Sequence, residues 1–202
     1  VQKLYGDISR DIRVYIAMTK TPLIALPILV LAACGDDPVQ FSEPVGIELK
    51  AKSGDVVNGT VDANKGINTE SGNPYGAFIS DAEAKLGRDP GSIEIDKVTL
   101  TLGAQSTNVS TLEQVLTGDV YVQFLTNDTN NTFVVGHFAS PTGPGPVEGH
   151  AMFDWTQVGA GDVEKMLGGS FKVVLRGPAA TGFETKGAEA SMQLTFTFTA
   201  FE

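Results

Sequence analysis

His137 and His150 are the two side chains of this sequence whose ordinary pKa suits proton transfer or metal binding near neutral pH. Both fall in stretches that read as strands. They could approach one another, with Glu148 or Asp154 as a third metal ligand. Neither HxH nor HExxH spacing occurs, and only tight ligand spacing makes such a motif specific. The preferred reading is therefore two partly exposed strand histidines and no metal. Serine-nucleophile chemistry lacks its G-x-S-x-G signature. Glu94 and Asp96 are paired acids, but on one strand they read as an ordinary solvated face. The segment Thr126 to Thr132 (TNDTNNT) offers oxygen ligands, yet Asp128 is its only charged one. A hairpin turn explains it better, because Asn and Asp tolerate left-handed backbone. Thr195, Thr197 and Thr199 could form a flat ligand-binding face, but threonine is also the common polar residue of an exposed strand. Tyr75 and Trp155 could stack on sugars or pack in a core. No constellation meets the requirements of an active site, so the expectation is a non-catalytic domain without a cofactor.

Cys34 is the one cysteine, which excludes an intramolecular disulfide framework. Lys20 precedes an uncharged run, Pro22 to Ala33 (PLIALPILVLAA), and Cys34 follows it directly. A basic residue, a short apolar stretch and small residues make a secretory signal, too short to span a bilayer. Leu31-Ala32-Ala33-Cys34 resembles the lipobox of bacterial lipoproteins, and the polar Gly35-Asp36-Asp37-Pro38 that follows agrees. The resemblance covers about a sixth of the chain. It implies cleavage between Ala33 and Cys34, a diacylglycerol thioether on Cys34 and, in most members, acylation of the new amine. Palmitate and its like then moor the protein to the membrane, since multiple acyl chains exceed what a stable anchor requires. Gly35, rather than Asp, after the cysteine implies the outer membrane of the cell envelope by the enteric sorting rule. Residues 1–33 are read as the signal-peptide region and left out of fold reasoning. Met18-Thr19-Lys20 is the more ordinary start, so the first 17 residues are expected to come from an upstream start.

The whole chain has 202 residues and a formal charge of −10. From Cys34 onward it carries 10 basic and 22 acidic residues, a net of −12. Phosphate neutralisation needs clustered Lys and Arg, so nucleic-acid binding is excluded. The same acidity keeps the body soluble and off anionic headgroups.

The remaining elements are legible from alternation and capping. Residues 34–44 read as lipidated cysteine and tether, and 45–202 as one domain. Val45, Ile47, Leu49 and Ala51 share a strand face, and Val56 to Val61 is expected to return as a hairpin arm. Asp62 to Gly76 reads as a long polar loop. Asn73 as cap, Pro74 at the first position, Phe78, Ala82 and Leu86 at fourfold spacing and a stop at Gly87 predict a helix. Ser92 to Leu102 is a strand whose apolar phase flips at Asp96-Lys97, which predicts a bulge. Ser110 to Glu113 matches a capping box, predicting a helical turn that ends near Gly118. Strands are expected at Asp119 to Leu125, Thr132 to Ala139, His150 to Trp155, Phe171 to Arg176 and Met192 to Ala200. Ala160 to Gly168 reads as a second helix, capped by Asp162.

The pattern predicts an all-β fold. Its form is an antiparallel β-sandwich of about eight strands with two or three short helical connectors, a β-barrel being the alternative. The expected function is a membrane-anchored, non-catalytic envelope domain that binds a protein or glycan or acts structurally. The Pro- and Gly-rich loops at 62–76, 140–149 and 177–190 are the expected contact regions. Two rivals remain open. Eleven phenylalanines could line a cavity for a small apolar ligand or lipid, and a hydrolase could use an unrecognised site built on either histidine.

Overall fold

A computed structural model describes residues 39–70 and 72–202. The lipobox, Ala33 and Cys34 lie outside the described residues. Eight strands and two helices follow in the order β1 (Gln40–Lys52), β2 (Thr60–Ile67), α1 (Pro74–Leu86), β3 (Ser92–Leu102), β4 (Asp119–Thr126), β5 (Thr132–Ala139), β6 (Val147–Ala151), α2 (Ala160–Leu167), β7 (Phe171–Pro178) and β8 (Glu189–Phe201). Every strand pair is antiparallel, and the spatial order is β1-β8-β3-β6-β5-β4-β7-β2. The fold is all-β, a single sheet curled almost into a barrel. Val45, Ile47, Leu49 and Ala51 of β1 face inward and are buried, as their alternation predicts. The last strand lies inside the sheet, paired on both sides with β1 and β3.

Two bulges decide which side chains face out. In β3 the register shifts between Ile95 and Lys97, where the apolar phase flips. Asp96 is the extra residue, and its carboxylate accepts the Thr199 hydroxyl. A second shift in the β4–β5 pair matches Val122 with Gly136 but Gln123 with Val134. Val135 is thus inserted, and it is wholly buried. From Phe133, simple alternation would turn His137 inward. The extra residue sends it outward, as bulges re-aim the side chains beyond them.

The interior is packed with rings. Phe124 lies 4.8 Å from Phe171 and 5.7 Å from Phe196, and Phe196 stacks on Phe198 at 5.3 Å, centroid to centroid. α1 closes one end with Tyr75, Phe78, Ile79 and Ala82. The Tyr75 hydroxyl donates to the Met166 carbonyl of α2 at 2.8 Å, and burial pushes its phenol far above the ordinary value. Each buried ring contributes about 1.5–3 kcal/mol by leaving water, and each ring pair about 0.5–1.5 kcal/mol more. The opposite end is plugged by Leu112, Val115, Leu116 and Phe183, all fully buried.

The helix signals hold at α1. Asn73 accepts the Tyr75 amide at 3.0 Å, and Gly87 ends the helix at φ 75°. Several expectations need correction. β1 and β2 do not pair as a hairpin: β1 pairs with β8 and β2 with β7. The tight turn Val57–Thr60 only leads into β2. β2 runs to Ile67, into the stretch read as loop, and β1 begins at Gln40, inside the stretch read as tether. The strand at His150 stops at Ala151, because Trp155 opens a short 3-10 turn. The turn after Ser110 is also 3-10, over Leu112–Gln114. There Gln114, not Glu113, reaches back to the Ser110 amide.

Candidate functional site

Register assembles one row of polar and aromatic side chains across the outside of five strands. Asp62 of β2 opposes Arg176 of β7, which opposes Tyr121 of β4, which opposes His137 of β5, which opposes His150 of β6. Arg176 donates to the Asp62 carboxylate through Nε at 3.0 Å and through its terminal nitrogen. Tyr121 and His137 lie ring beside ring, 4.9 Å between centroids. His137 Nε2 is 3.0 Å from Asp119 Oδ1. The two histidines singled out by type therefore do meet across one strand pair. Glu148 does not join them: it pairs with Lys97 at 2.6 Å. Asp154 turns to the amide and hydroxyl of Thr156, whose hydrogen bonds hold its carboxyl below the usual range. Among the described residues no three His, Cys, Asp or Glu side chains form a metal-holding group. What the row offers is cross-strand pairing and an exposed ring, Tyr121, which sequence reasoning missed because its outward place depends on register.

Asp162 does more than cap a helix. Gly159 is the N-cap of α2, and Asp162 sits in the first turn, buried. Its Oδ1 accepts the hydroxyls of Thr126 (3.0 Å) and Thr129 (2.8 Å), and its Oδ2 accepts the Asn131 amide (2.8 Å). Lys165 adds bonds to the Asn127 carbonyl and the Asp128 carboxylate. These bonds, Asn131 first, hold the Asp162 carboxyl below the usual carboxylate range against the opposing push of burial. The TNDTNNT segment is the turn between β4 and β5, and its donors are turned onto a carboxylate. A cation would need acceptors there.

The third feature is a cleft of about 600 Å³ where the sheet fails to close. β1 and β2 are the two ends of the strand order, and they run side by side without a ladder between them. The cleft spans Gly46 to Lys50 on β1 and Asn64 to Ile67 on β2, with Asn68, Asn73 and Pro74 at one end. Lys65 is its anomaly. It opposes buried Val173 and lies between buried Ala63 and Ile67, so its register position is inward-facing. Its side chain is nonetheless exposed in the gap, and it makes no ion pair among the described residues. Lys50 is shared with Glu189 at 3.9 Å.

The other candidates are engaged in the fold. Tyr75 is buried in the core, and Trp155 packs edge-on against Phe153 at 5.7 Å. Thr195 and Thr197 are half-buried on β8, and Thr199 is buried on Asp96. The loop at 140–149 is tied down by Leu102 N–H to Pro144 O, Leu112 N–H to Gly143 O and Gly143 N–H to the Glu113 carboxylate. That at 177–190 is fastened by Ala180 N–H to Val115 O and by Ala188 N–H to Ser53 Oγ. Both loops are thus held in fixed positions on the body. The stretch at 62–76 borders the cleft, but half of it is strand.

No protein-family model matches this chain, and no curated protein matches it significantly.

Proposed function

We propose that this protein is a lipid-anchored, non-catalytic domain of the bacterial cell envelope, held in the outer membrane through Cys34, that binds an envelope partner or serves structurally. The observation that carries the reading is the run Leu31-Ala32-Ala33-Cys34 standing five residues ahead of a self-contained β body. Those five residues reach at most about 20 Å when extended. They enter β1 at Gln40, opposite Phe201, at the end covered by α1. The anchor segment therefore joins the body at its helix-covered end, and the plugged end, with Leu112 and Phe183, is the opposite one. The ring packing of Phe124, Phe171, Phe196 and Phe198 occupies the space a small apolar ligand would need, which favours this reading over a carrier.

Metabolic labelling with palmitate tests it. Label is expected on the parent, none on Cys34→Ser, and the variant should leave the membrane fraction as an unprocessed or soluble species. An unlabelled parent, or a Cys34→Ser variant that fractionates and migrates like it, overturns the proposal.

A further inference from the structure

We propose that the unclosed seam between β1 and β2 is an acceptor site for one extended peptide segment of a partner protein, carrying an acidic side chain opposite Lys65. The inference goes beyond the anchor and does not depend on it, since the seam belongs to the β body alone. Three observations carry it.

Both rims are strand edges. β1 is paired with β8 on one side and β2 with β7 on one side, and each has its other edge toward the gap. Exposed edges carry unpaired N–H and C=O groups that recruit a further strand. β1 and β2 run in opposite directions, so an inserted strand lies antiparallel to one and parallel to the other.

The rim length suits a short strand, and the rims, within 8 Å of each other at several residue pairs, must part to the roughly 9.5 Å that an inserted strand requires. The rim from Gly46 to Lys50 is five residues, about 17 Å of strand. The cleft volume of about 600 Å³ lies within the usual range for ligand sites.

The lining states a sequence preference. Ile47 and Ile67 are the apolar inward residues of the two rims, and four charged side chains line the cleft. Of these, Glu48 accepts the Ser191 hydroxyl, Lys50 lies by Glu189, Glu70 accepts the Asn68 amide, and Lys65 alone has no side-chain partner among the described residues. Inward-facing side chains of the guest alternate, so apolar–acidic–apolar at every second position matches Ile67, Lys65 and Ala63 in turn. Carboxylate pairing gives Lys65 the partner it lacks among the described residues. It also gives a reason for a lysine at an inward-facing position, which a closed barrel would fill with an aliphatic residue.

The test uses the full chain in detergent and the acetylated, amidated pentapeptide Val-Thr-Asp-Thr-Val, read by amide hydrogen exchange. Binding should slow exchange at amides of Gly46–Lys50 and Asn64–Ile67 and leave the rest unchanged. Lys65→Glu should weaken it about tenfold or more, by like-charge repulsion, and Lys65→Gln should weaken it less. The Val-Thr-Lys-Thr-Val peptide should fail on the parent and recover on Lys65→Glu, so a folding defect cannot mimic the result. The proposal is overturned by unchanged exchange at millimolar peptide, by protection on other strands, by equal binding to Lys65→Glu, or by an N-acetylglucosamine oligomer protecting the rims where the peptide does not. Loss of palmitate labelling would leave this result standing, so the two proposals fail separately.

Discussion

The sheet is carried across at β6 and left open between β1 and β2, and the two places are built in opposite ways. At β6 it is continuous. That strand of five residues pairs with β3 through Val147 to Gly149 and with β5 through His150 and Ala151. Side chains are absent where the layers press together: a Cβ on Gly149 would lie 2.6 Å from the Phe138 ring and 2.9 Å from the His137 carbonyl. A Cβ on Gly136 would lie 3.1 Å from Val98. At the β1–β2 seam the reverse holds. A long charged side chain, Lys65, stands where closure needs a small or apolar one. A curled sheet closes where backbone can approach and stays open where a solvated group keeps its water, because burying an unpaired ammonium costs more than one edge ladder returns.

This contrast can be broken or sharpened by substitution. The largest effect should come from Gly149→Val, which forces a side chain into the Phe138 ring. Urea denaturation should show a loss of about 3 kcal/mol, the upper range for overpacking. A loss within error would mean that the β6 corner is not tightly closed. Next comes Asp162→Asn, in the closed half of the sheet. It places an amide against the Asn131 donor and removes the charge that Thr126 and Thr129 bond. The expected loss is about 2 kcal/mol at pH 7. Its pH dependence has a definite sign. The folded carboxyl is held below its unfolded value of about 3.9, so its contribution is complete above that pH and disappears as pH falls through the folded value. The gap between parent and Asp162→Asn, followed in thermal melts, should be full at pH 6 and close in strong acid. A gap that widened with acid would refute the assignment. The smallest effect has the opposite direction: Lys65→Leu should stabilise by about 0.5–1 kcal/mol, by placing an apolar side chain instead of an ammonium at an inward-facing register position. Destabilisation there would remove the basis for treating the seam as functionally open.

Much of the fold is legible without coordinates, for identifiable reasons. The alternation of Met192, Leu194, Phe196 and Phe198 marks a strand buried on one face. The phase flip at Asp96-Lys97 marks a bulge because period two admits no other way to keep both halves inward. Asn73, Pro74 and Gly87 mark α1 because each satisfies a backbone group or angle peculiar to a helix end. The second bulge was hidden, since Phe133, Val134 and Val135 form an unbroken apolar run with no visible phase. For the candidate sites the signal was weaker. The histidines stood out by type, while Tyr121, Asp162 and Lys65 did not, because nothing local distinguishes a tyrosine, aspartate or lysine that tertiary partners will single out.

The amino-acid order alone determines the local conformations, the inward face of most strands and, through Leu31-Ala32-Ala33-Cys34, the expectation of a lipid anchor. Those depend on periodicity, capping and recognition of a linear segment, all short-range. The tertiary structure alone decided that β1 joins β8 rather than β2, that His137 meets His150, and that Lys65 stands in a gap. Strand partners are chosen by which edges the closing core leaves side by side, and that is a property of the assembled chain rather than of any stretch of it.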